Sequence, residues 1–245
     1  MNQKHSEKTS YKNISLYDED NYSHVVPGLI YIETSVPGVG VYKSYLNSKT
    51  KGCSCSSVCE PGSCACLLAS GFKSSVDTVP IYLKRTYPIF ECHVDCCRCS
   101  DLCSNKLTQS GPRHGLSIKH FGEKGFGVIT EIDVPYGSFL CEYAGEYIGK
   151  EEAKRRLGTL RRYINHSCDP NSRVIPVRSY NMTPIAALFA IREIKAGEEI
   201  TYSYNEYGLE IETATVPREK VFHSVKRCLC VSPKCKKYLP LNLSL

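Results

Sequence analysis

The alternation of hydrophobic and polar positions changes character near Gly115. Downstream, Leu116-Ser117-Ile118-Lys119-His120-Phe121 has the period of two that turns one face of a strand inward and the other to water. Residues 126–132 and 138–143 repeat the signal, parted by the turn residues Pro135-Tyr136-Gly137. Residues 185–194 and 199–204 predict two more strands, split by Lys195-Ala196-Gly197-Glu198. The one short polar helix is expected at 151–157. Many short strands and little helix predict a mostly β fold. Upstream, residues 1–23 form a polar tail. Residues 24–50 carry two short β-type runs, 29–32 and 39–42, near the Pro-Gly pairs Pro27-Gly28 and Pro37-Gly38. They read as a connector. Residues 205–227 form a charged linker, and no segment repeats.

The cysteines change this picture most. Thirteen of the fifteen fall in three bursts, and a fourteenth lies beside a polar motif. The first burst is Cys53, Cys55, Cys59, Cys64 and Cys66. The second is Cys92, Cys96, Cys97, Cys99 and Cys103, and the third is Cys228, Cys230 and Cys235. Thiols one residue apart are badly placed for a disulfide, yet both can bind one metal. The first twenty residues hold no apolar core that could serve as a signal peptide, and no apolar run approaches a membrane span. The expectation is an intracellular chain with reduced thiols, zinc rather than bridges, and no membrane partner. Three tetrahedral zincs need about twelve ligand positions, which nine cysteines supply if three of them bridge. Ten are present, and spacing does not choose between Cys96 and Cys97. Independent mononuclear sites would use the same residues. The third burst lacks a fourth ligand, for which Cys168 in Asn165-His166-Ser167-Cys168 is the candidate. Cys141 lies in an alternating strand and reads as a small buried hydrophobe.

Charge adds little. The formal +6 falls to about +1 once nine thiolates hold three Zn²⁺ and four hold one more. Lysines and arginines are scattered. Seventeen tyrosines against seven phenylalanines and no tryptophan leave room for a tyrosine-lined site.

Five motifs in order now carry a resemblance. They are the three cysteine bursts, Lys124-Gly125-Phe126-Gly127, Glu142-Tyr143-Ala144-Gly145-Glu146, Arg162-Tyr163-Ile164-Asn165-His166-Ser167-Cys168, and Gly197-Glu198-Glu199-Ile200-Thr201-Tyr202-Ser203-Tyr204. Together they resemble the SET-domain protein lysine methyltransferases with pre-SET and post-SET zinc modules. The resemblance implies a β-clip fold with a threaded C-terminal loop. It also implies a tail and connector at 1–50, a triple-zinc module at 51–110, a SET domain at 111–208 and a post-SET zinc module at 224–245. It places S-adenosylmethionine against Lys124, Gly125, Phe126, Gly127, Arg162, Asn165, His166 and Leu229. Tyr204, Tyr202 and Tyr143 become the tyrosines of the lysine channel. The implied partners are the histone H3 tail and the nucleosome, with non-specific DNA contact left open, in the nucleus on chromosomes. Taken singly, the same residues have plainer readings: Gly125 and Gly127 as a turn, Asn165-His166 as a loop cap, Tyr204 as a core tyrosine.

The chemistry so implied needs little acid–base machinery. A sulfonium methyl is already activated, so the protein must orient a neutral lysine in line, exclude water and surround the methyl with oxygen dipoles. By the same resemblance Tyr202 occupies a Phe/Tyr switch that would limit the product to mono- or dimethyl-lysine. One departure stands out. The family carries an insert of roughly four strands between Gly127 and Asn165, and here residues 151–157 run straight into Gly158-Thr159-Leu160-Arg161-Arg162. Two readings follow: an S-adenosylmethionine-dependent enzyme acting on histone H3, or a zinc-held chromatin-binding module with a weak or silent site. A sequence-specific zinc DNA-binding domain is disfavoured, because the cysteine spacing places no recognition helix.

Overall fold

The structure, a computed structural model, describes residues 32, 34–74, 83, 88–99, 103–155, 163–204 and 226–240. The chain divides into residues 1–33 and 34–245. Of the first unit only Ile32 is described; everything below concerns the second. The predicted tail and most of the run at 29–32 lie outside the described residues, as do residues 205–225 of the predicted linker.

The second unit opens with β1 (Val36–Pro37), α1 (Lys43–Leu46), α2 (Ala65–Ala69) and β2 (Ile89–Phe90). It continues through β3 (Leu116–His120), a 3-10 turn (Gly122–Lys124), β4 (Phe126–Thr130), β5 (Phe139–Glu142), β6 (Glu146–Tyr147) and α3 (Lys150–Arg155). It closes with β7 (Asn165–His166), β8 (Ser172–Arg178), β9 (Ile185–Ala190) and β10 (Glu199–Tyr202). The expected mostly β class is what forms. The predicted strand at 39–42 does not: Val39 and Gly40 make a turn, and Val39 and Tyr42 face water. The strand lies just upstream, where Val36 and Pro37 pair in parallel with Glu146 and Tyr147.

Two four-stranded sheets frame the site, in the orders β2-β8-β9-β5 and β3-β4-β10-β7. β9 explains their relation. Its apolar run is buried on both faces, and the period of two divides its side chains. Ala187 and Phe189 enter the core built on the cysteines, Leu67, Phe72, Ile89 and Val177. Leu188 and Ala190 enter the core of Val134, Leu140, Ile164, Ile194, Ile200 and Tyr202. The cysteine module and the β domain therefore share one strand. β8 holds Pro176, which hides it from a sequence reading. Proline is tolerated because β2 pairs only with Val177 and Arg178, leaving β8 an edge at that point.

β10 runs between β4, antiparallel, and β7, parallel, with Thr201 opposite Asn165 and Tyr202 opposite His166. The loop after β7 is tied to β10 by buried side chains. Asn171 accepts from the Thr201 N–H at 2.9 Å and donates to the Glu199 carbonyl at 2.8 Å. Ser172 Oγ donates to the Thr201 carbonyl at 2.8 Å. Asn171 and Ser172 thus find partners for their buried polar groups, so these bonds offset the cost of burying them. None of the described helices is long and apolar enough to cross a membrane.

Candidate active site

The end of β10 delivers two tyrosines beside a third from β5. The rings of Tyr143 and Tyr202 lie 5.7 Å apart at 63°, and those of Tyr202 and Tyr204 lie 5.0 Å apart at 52°. These are the tilted and edge-on geometries that aromatic quadrupoles favour. The Tyr204 hydroxyl donates to the Ile164 carbonyl at 3.1 Å, which fixes its proton and turns its lone pairs away from that carbonyl.

His166 ties this cluster to the tail. Its Nδ1 accepts the Tyr204 backbone N–H at 3.1 Å, so the ring proton of the neutral imidazole sits on Nε2. Nε2 lies 3.3 Å from the sulfur of Cys168. Burial, then the nearby charges of Lys124 and Lys236, hold the His166 pKa below its usual value. The imidazole therefore stays neutral, as this double role requires.

Beside it, a cleft of about 520 Å³ opens between the Phe121–Lys124 turn and residues 227–237. That volume suits a small organic ligand. Lys124 and Leu229, two of the residues expected at the cofactor, line it, and so does Glu199, which the sequence did not single out. Glu199 is the hub of the wall. Its Oε2 pairs with Lys124 Nζ at 2.5 Å and its Oε1 accepts from Asn165 Nδ2 at 2.8 Å. Asn165 Nδ2 also donates to the Phe126 carbonyl at 3.0 Å. The signal was present in Glu198-Glu199, two acids at a strand start. Glu198 faces outward to Arg192, and its neighbour on the other strand face turns inward.

The two glycines of this turn are required for different reasons. Gly125 has φ +83°, where a side chain would be strained, and no atom lies near its missing Cβ. Gly127 lacks room: a Cβ would meet Glu199 Oε1 at 2.5 Å, Phe121 at 2.8 Å and Asn165 at 2.9 Å. The missing side chain of Gly127 makes room for the protein's own Glu199, Phe121 and Asn165. Phe126 lies edge-on to His120, 4.9 Å between centroids, and to Tyr163. Arg162 lies outside the described residues.

The thiols gather as the bursts suggested. Cys53, Cys59, Cys64 and Cys92 recur among the four-thiol groups, which are Cys53/Cys64/Cys66/Cys92, Cys53/Cys59/Cys92/Cys97 and Cys53/Cys55/Cys59/Cys64. Cys59 also stands 3.6 Å from both Cys99 and Cys103. Sulfur–sulfur distances run from 3.4 Å (Cys59–Cys97) to 3.9 Å (Cys64–Cys92). A zinc tetrahedron with sulfurs at about 2.3 Å has edges of about 3.8 Å, and a disulfide would need about 2.05 Å. Cys96 stays out of these groups, its sulfur 3.5 Å from the His93 N–H and 3.4 Å from the His93 carbonyl. The structure thus gathers Cys97 and leaves Cys96 on its own turn. A separate group joins Cys168 to Cys228, Cys230 and Cys235, with Cys168 and Cys228 3.8 Å apart. Cys141 joins neither set; burial raises its pKa to about 11, as for an inert strand thiol.

Comparison with known proteins agrees with this geometry. The SET domain family matches residues 153–205, and the Pre-SET motif matches residues 6–106. A probable histone-lysine N-methyltransferase of Caenorhabditis briggsae, set-23, is 34% identical over 247 residues, taking in 87% of this chain and 97% of its own. The crystal structure of the methyltransferase domain of human SETMAR superposes with a TM-score of 0.67 at 29% identity, over 86% of this chain and 88% of that one. KRYPTONITE, solved with mCHH DNA, an H3(1–15) peptide and SAH, superposes with a TM-score of 0.63 at 25% identity, over 86% of this chain and 47% of its own.

Proposed function

This chain belongs to the SET-domain histone-lysine N-methyltransferases with a Pre-SET module, and from that premise we propose that it methylates a lysine of the histone H3 tail, on chromatin in the nucleus, using S-adenosylmethionine. The observation that carries the proposal is a ligand-sized cleft whose wall residue Glu199 holds Asn165, with His166 beside it joined to three tyrosines in tilted and edge-on contact. Further support comes from KRYPTONITE, a structural neighbour solved with an H3 peptide and SAH.

The residues fit such a cofactor. Lys124, Glu199 and Leu229 line the cleft, and the Gly125 backbone leaves open space next to it. When bound, the cofactor supplies a methyl group on a sulfonium, activated without acid catalysis. The chain's own task is orientation. Tyr204, with its hydroxyl proton committed to Ile164, presents oxygen lone pairs toward the reacting centre. Tyr143 and Tyr202 wall the channel and keep water from a neutral lysine amine. Tyr202 also limits the product to mono- or dimethyl-lysine. In the Pre-SET module nine cysteines would hold three zincs, Cys97 serving and Cys96 not. Cys168 with Cys228, Cys230 and Cys235 would hold a fourth. Nucleosomal DNA is a non-specific contact of the same complex.

The SET insert is shortened between α3 and β7. The alignment with the C. briggsae protein supports this reading: it runs to 247 positions while taking in only 87% of a 245-residue chain, so that relative has residues without counterpart here. The expected consequence is cofactor binding with slow methyl transfer, raised when the missing strands are restored. The test measures S-adenosylmethionine binding by calorimetry and methyl transfer to H3 nucleosomes by mass spectrometry. Binding together with mono- and dimethylated H3 is expected, and Tyr202→Phe should add trimethyl-lysine. Absence of cofactor binding would overturn the proposal.

A further inference from the structure

Tyr143 is held from both sides by contacts outside the channel. On the inner side its N–H donates to the Ala186 carbonyl of β9 at 2.7 Å. On the outer side stands a strap, residues 34–40, from the segment the sequence presents as a connector. Ser35 is its key. The Ser35 N–H and hydroxyl both donate to Glu142 Oε1, at 2.9 and 2.7 Å. The same hydroxyl accepts the Gly145 N–H at 3.3 Å. One oxygen thus bridges Glu142 and Gly145, the residues that bracket Tyr143-Ala144.

The strap continues the clamp. The Val36 N–H donates to the Gly145 carbonyl, the Gly38 N–H to the Tyr147 carbonyl, and the Gly149 N–H to the Val39 carbonyl, at 2.8–2.9 Å. Val36 and Pro37 form the parallel ladder with β6. At its far end Gly40 packs on Gly149, where a Cβ on Gly149 would stand 2.8 Å from the Gly40 carbonyl oxygen. Every bond falls on residues 142–149. That corner carries a channel tyrosine on one side and leads into α3, where the chain shortens, on the other.

We infer that Ser35 is a positioning residue for methyl transfer, setting the ring of Tyr143 against Tyr202 through Glu142 and Gly145. The inference rests on the channel reading above. Removing that hydroxyl leaves the Ser35 N–H on Glu142 and the Val36 N–H on the Gly145 carbonyl, but it breaks the one atom that ties the two flanks of the ring to each other. Errors of about 1 Å at a reacting centre cost up to about a hundredfold in rate. Glu142, unlike Ser35, lies in a recognisable motif, yet its carboxylate faces the strap and not the channel.

The test uses the full chain with Ser35→Ala, Ser35→Thr and Glu142→Gln. The first readout is independent of turnover: tyrosine ring signals by NMR with ring-labelled tyrosine. Ser35→Ala should shift the Tyr143 signals while those of Tyr204 stay, and Ser35→Thr, which keeps a hydroxyl, should restore them. The second readout is kinetic. Ser35→Ala should lower kcat about tenfold, with KM for the cofactor unchanged, and Ser35→Thr should recover most of it. Should Ser35→Ala fail to fold, Glu142→Gln, which keeps an acceptor but loses its charge, should give the same ring shift in smaller degree. Unmoved Tyr143 signals in the folded variants, or equal losses for Ala and Thr, overturn the inference. A shifted ring in a chain whose unmodified form transfers no methyl would leave the positioning intact and sink the functional proposal instead.

Discussion

The two thiol centres share a chemistry and differ in what they hold. In the first, nine cysteines between residues 53 and 103, most of them buried, have each other and the apolar face of β8 and β9 as neighbours. Nothing in the cleft touches them. In the second, Cys168 from the loop after β7 meets three thiols from residues 228–235, all of the four but Cys228 partly exposed, and its sulfur faces His166. The first centre therefore builds a module, and the second builds the site. Stability and activity should part company when each is attacked in turn.

Graded chelation is the strongest way to break that distinction. The less buried tail centre should release its metal first, abolishing cofactor binding while the Pre-SET module stays folded. The remaining metal should then leave cooperatively with unfolding, since structural zinc contributes on the order of 10 kcal/mol. Metal analysis alongside circular dichroism and calorimetry checks the order, and simultaneous loss of all metal would erase the contrast. Single thiols sharpen it. Cys97→Ser should lower the metal content and cost several kcal/mol of stability, roughly 3, whereas Cys96→Ser should leave both unchanged. Equal losses would mean that Cys96 is also a ligand.

Glu199→Gln attacks the cleft without touching sulfur. It leaves Lys124 without its carboxylate behind a wall where both side chains are 15% exposed. A loss of about 2 kcal/mol in stability is expected, with weaker cofactor binding and full metal content. Acid should act more gently, through the link itself. The folded pKa of His166 lies below its unfolded value, so its contribution is present above about pH 6.5 and is lost as pH falls through the folded pKa. Protonation of Nδ1 would remove the acceptor of the Tyr204 N–H. Thermal melts from pH 7.5 to 5.5 should show a loss that His166→Gln reduces.

Local pattern revealed what local physics determines. Alternation located β3, β4, β5, β9 and β10, because each presents one face, or both in β9, to a core. Cysteine spacing located both centres, because metal geometry restricts it. What escaped was set by distant partners. β1 lies at Val36–Pro37 and not at 39–42 because Glu146 and Tyr147 offer it a ladder. β7 is two residues long and exists through its pairing with β10. Asn171, Glu199 and the Ile164 carbonyl matter through hydrogen bonds that close only in the folded chain. The choice of Cys97 over Cys96 follows from the turn at His93, which points one sulfur back at its own backbone.

The Cys168 group also bears on how the protein comes into being. Synthesis runs from the N-terminus and domains fold as they emerge. The first thiol centre has all its sulfurs once Cys103 has been made, but the apolar core it packs on waits for β8 and β9. The cleft has no outer wall until Cys235 has followed, because residues 227–237 supply it. A half-made chain would thus carry one full set of thiols and still lack the outer wall of the cleft. Transfer capacity would arrive last, as a single event, when the tail clasps Cys168 and settles against His166.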